Sequence, residues 1–553
     1  MSSQPNDVSH VDVDVAVVGA GMGGMYAVHR FREAGLRVQG FEGAPEVGGV
    51  WYHNRYPGAR VDVESRDYAF HFDTEFYRNW VWSERYAAQP EILAYLNHFA
   101  DHFDLRPLYR FNTWVEAAQW EPEGDRYRIS TDDGAVTYAR SLVMASGQLS
   151  RARKPNFPGL DDFTGEWVQT SHWPQHEVPI AGRRIGVIGT GASGVQAITA
   201  MAPDAAELVV FQRTANYSIP AHNDVADPAR QAEASADSRE YYAGLSRLLA
   251  ASHYPPRNGK AAEYTPQEQR ELLEKRWAFG GHAMNTVFAD QGLDLDVNTI
   301  VSDFVREKIR GIVSDAETAE KLMPRAYPIG TRRLIVDTGY FETFNRDNVT
   351  LVDVRADPIE RITATGVATA TQHFDLDLIV FAIGFDAFTG ALESANITNE
   401  FGRTPVDYWR EGPRTYLGLM TSAFPNLFIL TGPQSPSVLA NMIVSNVQHV
   451  DLVERILARM NERGATRVTA TPAAEAEWVD HANEVSRNIL RRQVDNYMVH
   501  INADGSRIFI PYVGGFSTYV ERVEQIVADD FAGFEFSRAG ETQAEPAVAR
   551  ATA

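Results

Sequence analysis

Residues 184–213 read RIGVIGTGASGVQAITAMAPDAAELVVFQR, and the order of residue types within them decides the fold. Ile185, Val187 and Ile188 form a short β-branched run of the kind buried in parallel sheets. Gly189, Gly191 and Gly194 follow at the spacing of a dinucleotide loop. The first permits a tight turn, the second lets backbone approach a pyrophosphate, and the third lets a helix pack on the strand. The helix that starts there offers free N–H groups and a positive dipole end to phosphate. A second strand, ELVVF, ends in Gln212-Arg213-Thr214, where an NAD-selective fold carries an acid. A guanidinium and a hydroxyl suit a 2′-phosphate instead, so this segment predicts an NADPH site.

The same order of elements occurs near the N-terminus. VDVAVV (13–18) reads as a strand, followed at once by Gly19, Gly21 and Gly24, the helix YAVHRFREAG and the strand LRVQGFE. Glu42 closes that strand, where a carboxylate holds ribose hydroxyls and repels a 2′-phosphate. Two sites of opposite charge preference imply two different dinucleotides, FAD on the first and NADPH on the second. The fold class that follows is α/β, with two Rossmann-like dinucleotide-binding domains.

The 553 residues suffice for several domains, and 44% hydrophobic with 22% charged residues is ordinary globular composition. A net charge of −22 argues against nucleic acid and anionic membrane surfaces as partners. No apolar run approaches the ~20 residues of a membrane span, and the polar, acidic N-terminus is unlike a signal peptide, so a cytoplasmic location is expected. The chain has no cysteine, which excludes thiol nucleophiles and the redox-active pair of the disulfide reductases that also carry two dinucleotide sites. His98/His102 and His172/His176 invite a metal reading. The first pair lacks an acidic third ligand and the second is split by Pro174, so no metal site is expected.

Residues 48–65, GGVWYHNRYPGARVDVES, form a glycine- and proline-rich loop that carries Trp51, Tyr52 and Tyr56 and reads as lying along a flat cofactor, with Asp62 toward its reactive ring. Gly48-Gly49-Val50-Trp51 through Tyr56-Pro57-Gly58-Ala59-Arg60-Val61-Asp62 resembles the corresponding loop of class B flavoprotein monooxygenases, and within them the type I Baeyer–Villiger monooxygenases. Residues 163–174, FTGEWVQTSHWP, are similar to that family's fingerprint Phe-x-Gly-x-x-x-His-x-x-x-Trp-Pro at Phe163, Gly165, Trp173 and Pro174. Gln169 stands at the histidine position and His172 comes three residues later. Ala382-Ile383-Gly384 departs from the family's Ala-Thr-Gly. The resemblance spans roughly residues 10–538.

The resemblance implies Arg333 as the catalytic arginine, Asp62 as the carboxylate that orients it, and Arg332 as a cation for the NADP 2′-phosphate. It implies Tyr497, in NYMVHINADGSR, near a mobile cofactor-contacting loop, and Ser437, Val438, Leu439 and Met442 as substrate-pocket residues. The expected organisation has FAD segments at 10–150 and 388–538, NADPH segments at 151–223 and 331–387, and a helical insertion in the NADPH domain at 224–330. A disordered tail is expected at 539–553. Within the insertion, Thr265-Pro266-Gln267-Glu268 is a capping box.

The implied reaction uses NADPH, O2 and FAD, through a C4a-peroxide on the flavin, to turn a small hydrophobic ketone into an ester or lactone. The rival readings are an N- or S-hydroxylating enzyme of the same class and an uncoupled NADPH oxidase or redox-sensing flavoprotein. Oligomeric state, monomer or small homo-oligomer, is left open by the sequence.

Overall fold

A computed structural model describes residues 10–538; the tail expected at 539–553 lies outside the described residues. The first apolar strand, Val13–Val18, pairs in parallel with Val38–Phe41 on one side and Val136–Met144 on the other. The sheet continues outward to Tyr109–Arg110 at one edge. At the other it passes through the antiparallel strands Arg126–Thr131 and Val115–Glu121 to Ile397–Thr398. Leu427–Ile429, more than 280 residues beyond its partner, lies parallel to Val136–Met144, so the last third of the chain completes the first domain. The Asp133-Gly134 turn joins two antiparallel strands, and Gly134 takes the left-handed φ of +79° that this hairpin needs.

The second sheet is wholly parallel, in the order Val349–Asp353, Glu207–Gln212, Arg184–Ile188, Leu378–Phe381, Glu166–Gln169. Its central strands are buried on both faces, which explains their continuous apolar runs. Thr265 caps the helix Pro266–Phe279, and Glu268 reaches back to the Thr265 backbone, as the capping box requires. Among the described residues no helix is long and apolar enough to cross a membrane.

The helical insertion is shared between the two domains. Ala234, Tyr241, Leu245 and Ala251 pack into the core of the first domain, whereas Leu273, Phe288, Val301, Phe304 and Leu322 pack into the core of the second. The aromatic loop also crosses the junction. Tyr56 and Ala59 are buried in the second core, the Tyr56 hydroxyl donates to Gln196 Oε1 (2.8 Å), and Gln196 Nε2 donates to Arg60 O (3.0 Å). Gly58 sits at φ +81°, and a Cβ there would collide with Gln196 O at 2.5 Å, so the loop clips onto the helix Ala192–Met201 through a residue without a side chain.

Gly58→Ala should therefore destabilise by roughly 1–3 kcal/mol more than Gly134→Ala, which shares the positive φ but meets open space. Equal denaturation midpoints for the two variants would show that the junction tolerates the methyl group.

Candidate active site

The two glycine turns have the same geometry. Gly19 and Gly189 both sit at φ +111°, where a Cβ would meet the carbonyls of Ala145 (2.6 Å) and Ala382 (2.4 Å). A Cβ on Gly24 or Gly194 would collide with the carbonyl of Gly19 (1.8 Å) or Gly189 (2.2 Å), so helix and strand touch backbone to backbone. Gly21 and Gly191 behave differently: nothing lies within 3.4 Å of a Cβ at the former, and nothing within 4 Å at the latter. Both helices, Met22–Glu33 and Ala192–Met201, start at these glycines without a side-chain cap, so their first N–H groups face the open side of each turn. That is the cradle a pyrophosphate needs, and the residues fit two dinucleotides.

Glu42 does more than the sequence reading assigns to it. Its Oε2 accepts from Ala20 N–H in the turn (2.7 Å) and its Oε1 from Ala44 N–H (2.8 Å). Burial pushes its carboxyl up from the ordinary value, against these hydrogen bonds. The loop expected along the first cofactor starts beside that turn, with Gly48 N–H donating to Ala20 O (2.9 Å), and Trp51 sits in a one-turn helix, Val50–His53, with Nε1 donating to Tyr68 (3.2 Å).

Asp62 and Arg333 meet across the junction. Arg333 donates from Nε to Oδ2 (2.7 Å) and from Nη2 to Oδ1 (2.8 Å), and its Nη1 donates to the Val438 carbonyl (2.7 Å). Arg333 keeps 32% of its side chain accessible and Asp62 24%, although both titrate as deeply buried groups; they line an internal recess. Burial alone would raise the Asp62 carboxyl, but the Arg333 charge and hydrogen bonds hold it far below the usual carboxylate range. Burial alone would lower the guanidinium, and Asp62 more than reverses that. His282, whose side chain is 11% exposed, brings Nε2 to 3.4 Å from Asp62 Oδ2, and Tyr254 stands edge-on to its ring. Neither residue is singled out by sequence; the Gly280-Gly281 turn before His282 was the only local signal.

Tyr497 reaches the same recess: it stacks on Phe388 (6.2 Å between centroids), is 37% exposed, and interacts electrostatically with Arg333. Val438 and Leu439 pack against Phe388, Met498 and Phe509, while Met442, half-buried, opens the helix Met442–Arg463. Ser437 is fully buried and donates to Gln148 Oε1 (2.8 Å), which fastens the loop. A turn-rich sequence does not reveal which of its side chains turn inward.

At the second turn Arg213 is exposed, and the Thr214 hydroxyl accepts from Arg355 (3.0 Å), a third cationic residue that sequence reading missed. Arg332 stacks its guanidinium over Tyr327 (4.6 Å) and leaves Nε buried without a partner. Tyr327 donates to Asn216 (2.6 Å), which donates to Thr190 O in the glycine turn (2.7 Å), linking Arg332 to that site. Of the histidines, His98 stacks on Phe76 and Trp80, and His172 stacks on His53 (5.3 Å).

Two dinucleotide folds joined by a buried carboxylate–guanidinium pair, in a chain without thiols, define a flavin- and nicotinamide-dependent oxidoreductase. Residues 13–234 match the family described as pyridine nucleotide-disulphide oxidoreductase. A Baeyer–Villiger monooxygenase of Pseudooceanicola batsensis is 37% identical over 535 residues, covering 96% of this chain and 97% of its own length. A phenazine N-monooxygenase of Lysobacter antibioticus is 35% identical over 536 residues, covering 96% and 97%. The structure of an oxidised steroid monooxygenase bound to NADP superposes with a TM-score of 0.91 at 46% identity, covering 95% of this chain and 99% of that one. The chain belongs to the type I Baeyer–Villiger monooxygenases, which use FAD, NADPH and O2.

Because Asp62 titrates below its unfolded value of about 3.9, the pair contributes fully above that pH and is lost as pH falls toward the folded value. Wild type should exceed Asp62→Asn in unfolding free energy by a steady margin, on the order of 3 kcal/mol, from neutral pH to about pH 4, and by less below. A margin that already shrinks between about pH 7 and 5 would contradict the assigned ionisation.

Proposed function

We propose that a ketone reacts in the recess bounded by Arg333, Asp62, Val438 and Tyr497, with the balance ketone + O2 + NADPH + H⁺ giving ester or lactone + NADP⁺ + water. Gly19, Gly21, Gly24, Glu42 and Trp51 would hold FAD. Gly189, Gly191 and Gly194 would hold the NADPH pyrophosphate, with Arg213, Thr214 and Arg332 toward its 2′-phosphate. Bound FAD supplies the two-electron exchange with NADPH and the activation of O2.

The observation that carries the reading is the geometry of Arg333. Three of its five N–H groups are committed, two to Asp62 and one to Val438, which leaves two aimed away from those anchors. A guanidinium does not act as a base. Held by Asp62, it is a fixed cation whose free N–H groups stabilise negative charge developing on the carbonyl oxygen under attack. Asp62 stays ionised at every working pH and keeps the fork oriented. A recess that excludes water strengthens this field and suppresses loss of reactive oxygen as hydrogen peroxide.

The similarity to an N-monooxygenase makes amine oxidation the competing activity. Offered a ketone and a tertiary amine together, the holoenzyme should yield ester, read by product mass. Arg333→Ala should still let NADPH bleach the flavin absorbance yet lose ester formation by about 10²-fold or more. Near wild-type ester yield from that variant, or N-oxide as the main product of the wild type, would overturn the assignment.

A further inference from the structure

A second guanidinium stands beside the reacting one. Arg491, in the short helix Leu490–Gln493, donates from Nε to Gly330 O (2.7 Å), three residues before Arg333. It interacts electrostatically with both Arg333 and Tyr497, which puts the three side chains near one another. Among the described residues no carboxylate lies within ion-pair distance of Arg491. Both Asp62 oxygens are taken by Arg333, and Asp495, the nearest acid on the same segment, accepts from Arg507. Burial and the Arg333 charge push the Arg491 guanidinium down to about 10, leaving it protonated at neutral pH. Its Nη groups have no hydrogen-bond partner among the described residues, and the side chain is half-buried. Charged groups withdrawn from water are ordinarily paired. With Arg333 neutralised by Asp62, Arg491 has no carboxylate to offset its charge.

We propose that Arg491 binds an anionic oxygen group of the substrate, so that the preferred ketones carry a carboxylate at the end remote from the reacting carbonyl. This rests on the reading of the recess as the place where the ketone reacts. An oxyanion could also come from a cofactor phosphate, and the two sources are separable. The carboxylate would accept from the open Nη edge of Arg491 while Arg333 faces the carbonyl, so one cation positions the substrate and the other acts on its reacting oxygen.

The probes are the keto acids from 4-oxopentanoate to 7-oxooctanoate and their methyl esters, a series that spans the unknown separation of the two groups. For at least one chain length, wild-type kcat/KM should favour acid over ester. In Arg491→Met, which keeps the packing of the stem, that ratio should fall about tenfold or more, the effect of losing a hydrogen bond to a charged group. Arg491→Lys should retain most of it. Hexanoate, which is not turned over, should raise the melting temperature of the wild-type holoenzyme and not that of Arg491→Met. An acid-to-ester ratio unchanged by Arg491→Met overturns the proposal. So does a tenfold rise in the KM for NADPH with no change in that ratio, which would assign the cation to the cofactor. If wild type oxidises neither acids nor esters, the ketone reading fails by itself, and hexanoate stabilisation still decides the role of Arg491.

Discussion

The site depends on one ion pair whose members lie 271 residues apart. Asp62 ends a loop of the first domain and Arg333 begins the return of the chain to the second, so the pair exists only when the domains are docked. A guanidinium alone in that recess would pay several kcal/mol of desolvation, and a carboxylate alone would take up a proton. Together they stay charged, and the two hydrogen bonds to one carboxylate fix the orientation of the fork. Formation of the pair and docking of the two sheets are thereby the same structural event.

This gives physical content to Tyr56-Pro57-Gly58-Ala59-Arg60-Val61-Asp62. Its first half is a clip. Tyr56 and Gly58 seat on the helix that follows the second glycine turn, and Gln196 on that helix returns a hydrogen bond to the Arg60 carbonyl. Arg60 is itself fixed by Glu84 and the Tyr86 carbonyl. The clip delivers Asp62 to the place where Arg333 arrives from the other side. The helix that receives it also starts at the second glycine turn without a side-chain cap, so that turn and the ion pair are positioned from one small region of contact.

What was legible in the sequence was local. Glycine spacing, apolar strands, the Asp133-Gly134 hairpin and the Thr265 capping box depend on neighbours within a few residues, and the structure contains each of them. Asp62 was readable because a long motif ends on it, and Arg333 was expected beside it through the family resemblance alone. Tyr254, His282 and Arg491 were not, since their meaning arises from proximity between segments hundreds of residues apart, and each alone reads as an ordinary tyrosine, histidine or surface arginine. The burial of Ser437 was hidden for a related reason: side-chain direction in a turn is set by backbone geometry, here φ +49°, that composition does not encode. The division of the helical insertion between two cores was hidden because helix periodicity identifies an apolar face without naming what covers it.

The departures from the family fingerprint also find their account in contacts at the junction. Gln169, where a histidine is usual, ends the edge strand Glu166–Gln169 and donates to the Arg153 carbonyl (2.8 Å), tying the segment that precedes this strand to the second sheet. An aromatic contact is still made, by His172, whose ring lies nearly parallel to that of His53 in the one-turn helix beside Trp51. Trp173 N–H then donates to the His53 carbonyl (3.0 Å), so His172 and Trp173 together grip one residue of the first domain. Burial and the neighbouring His172 push His53 down to about 4, so at neutral pH it is uncharged and the stack faces no repulsion between its rings. Ile383, in place of a hydroxyl-bearing residue, packs against the apolar cluster that holds Phe381, as Phe157 and Phe163 also do. The chain thus has a histidine stack and apolar packing at the junction that brings Arg333 to Asp62.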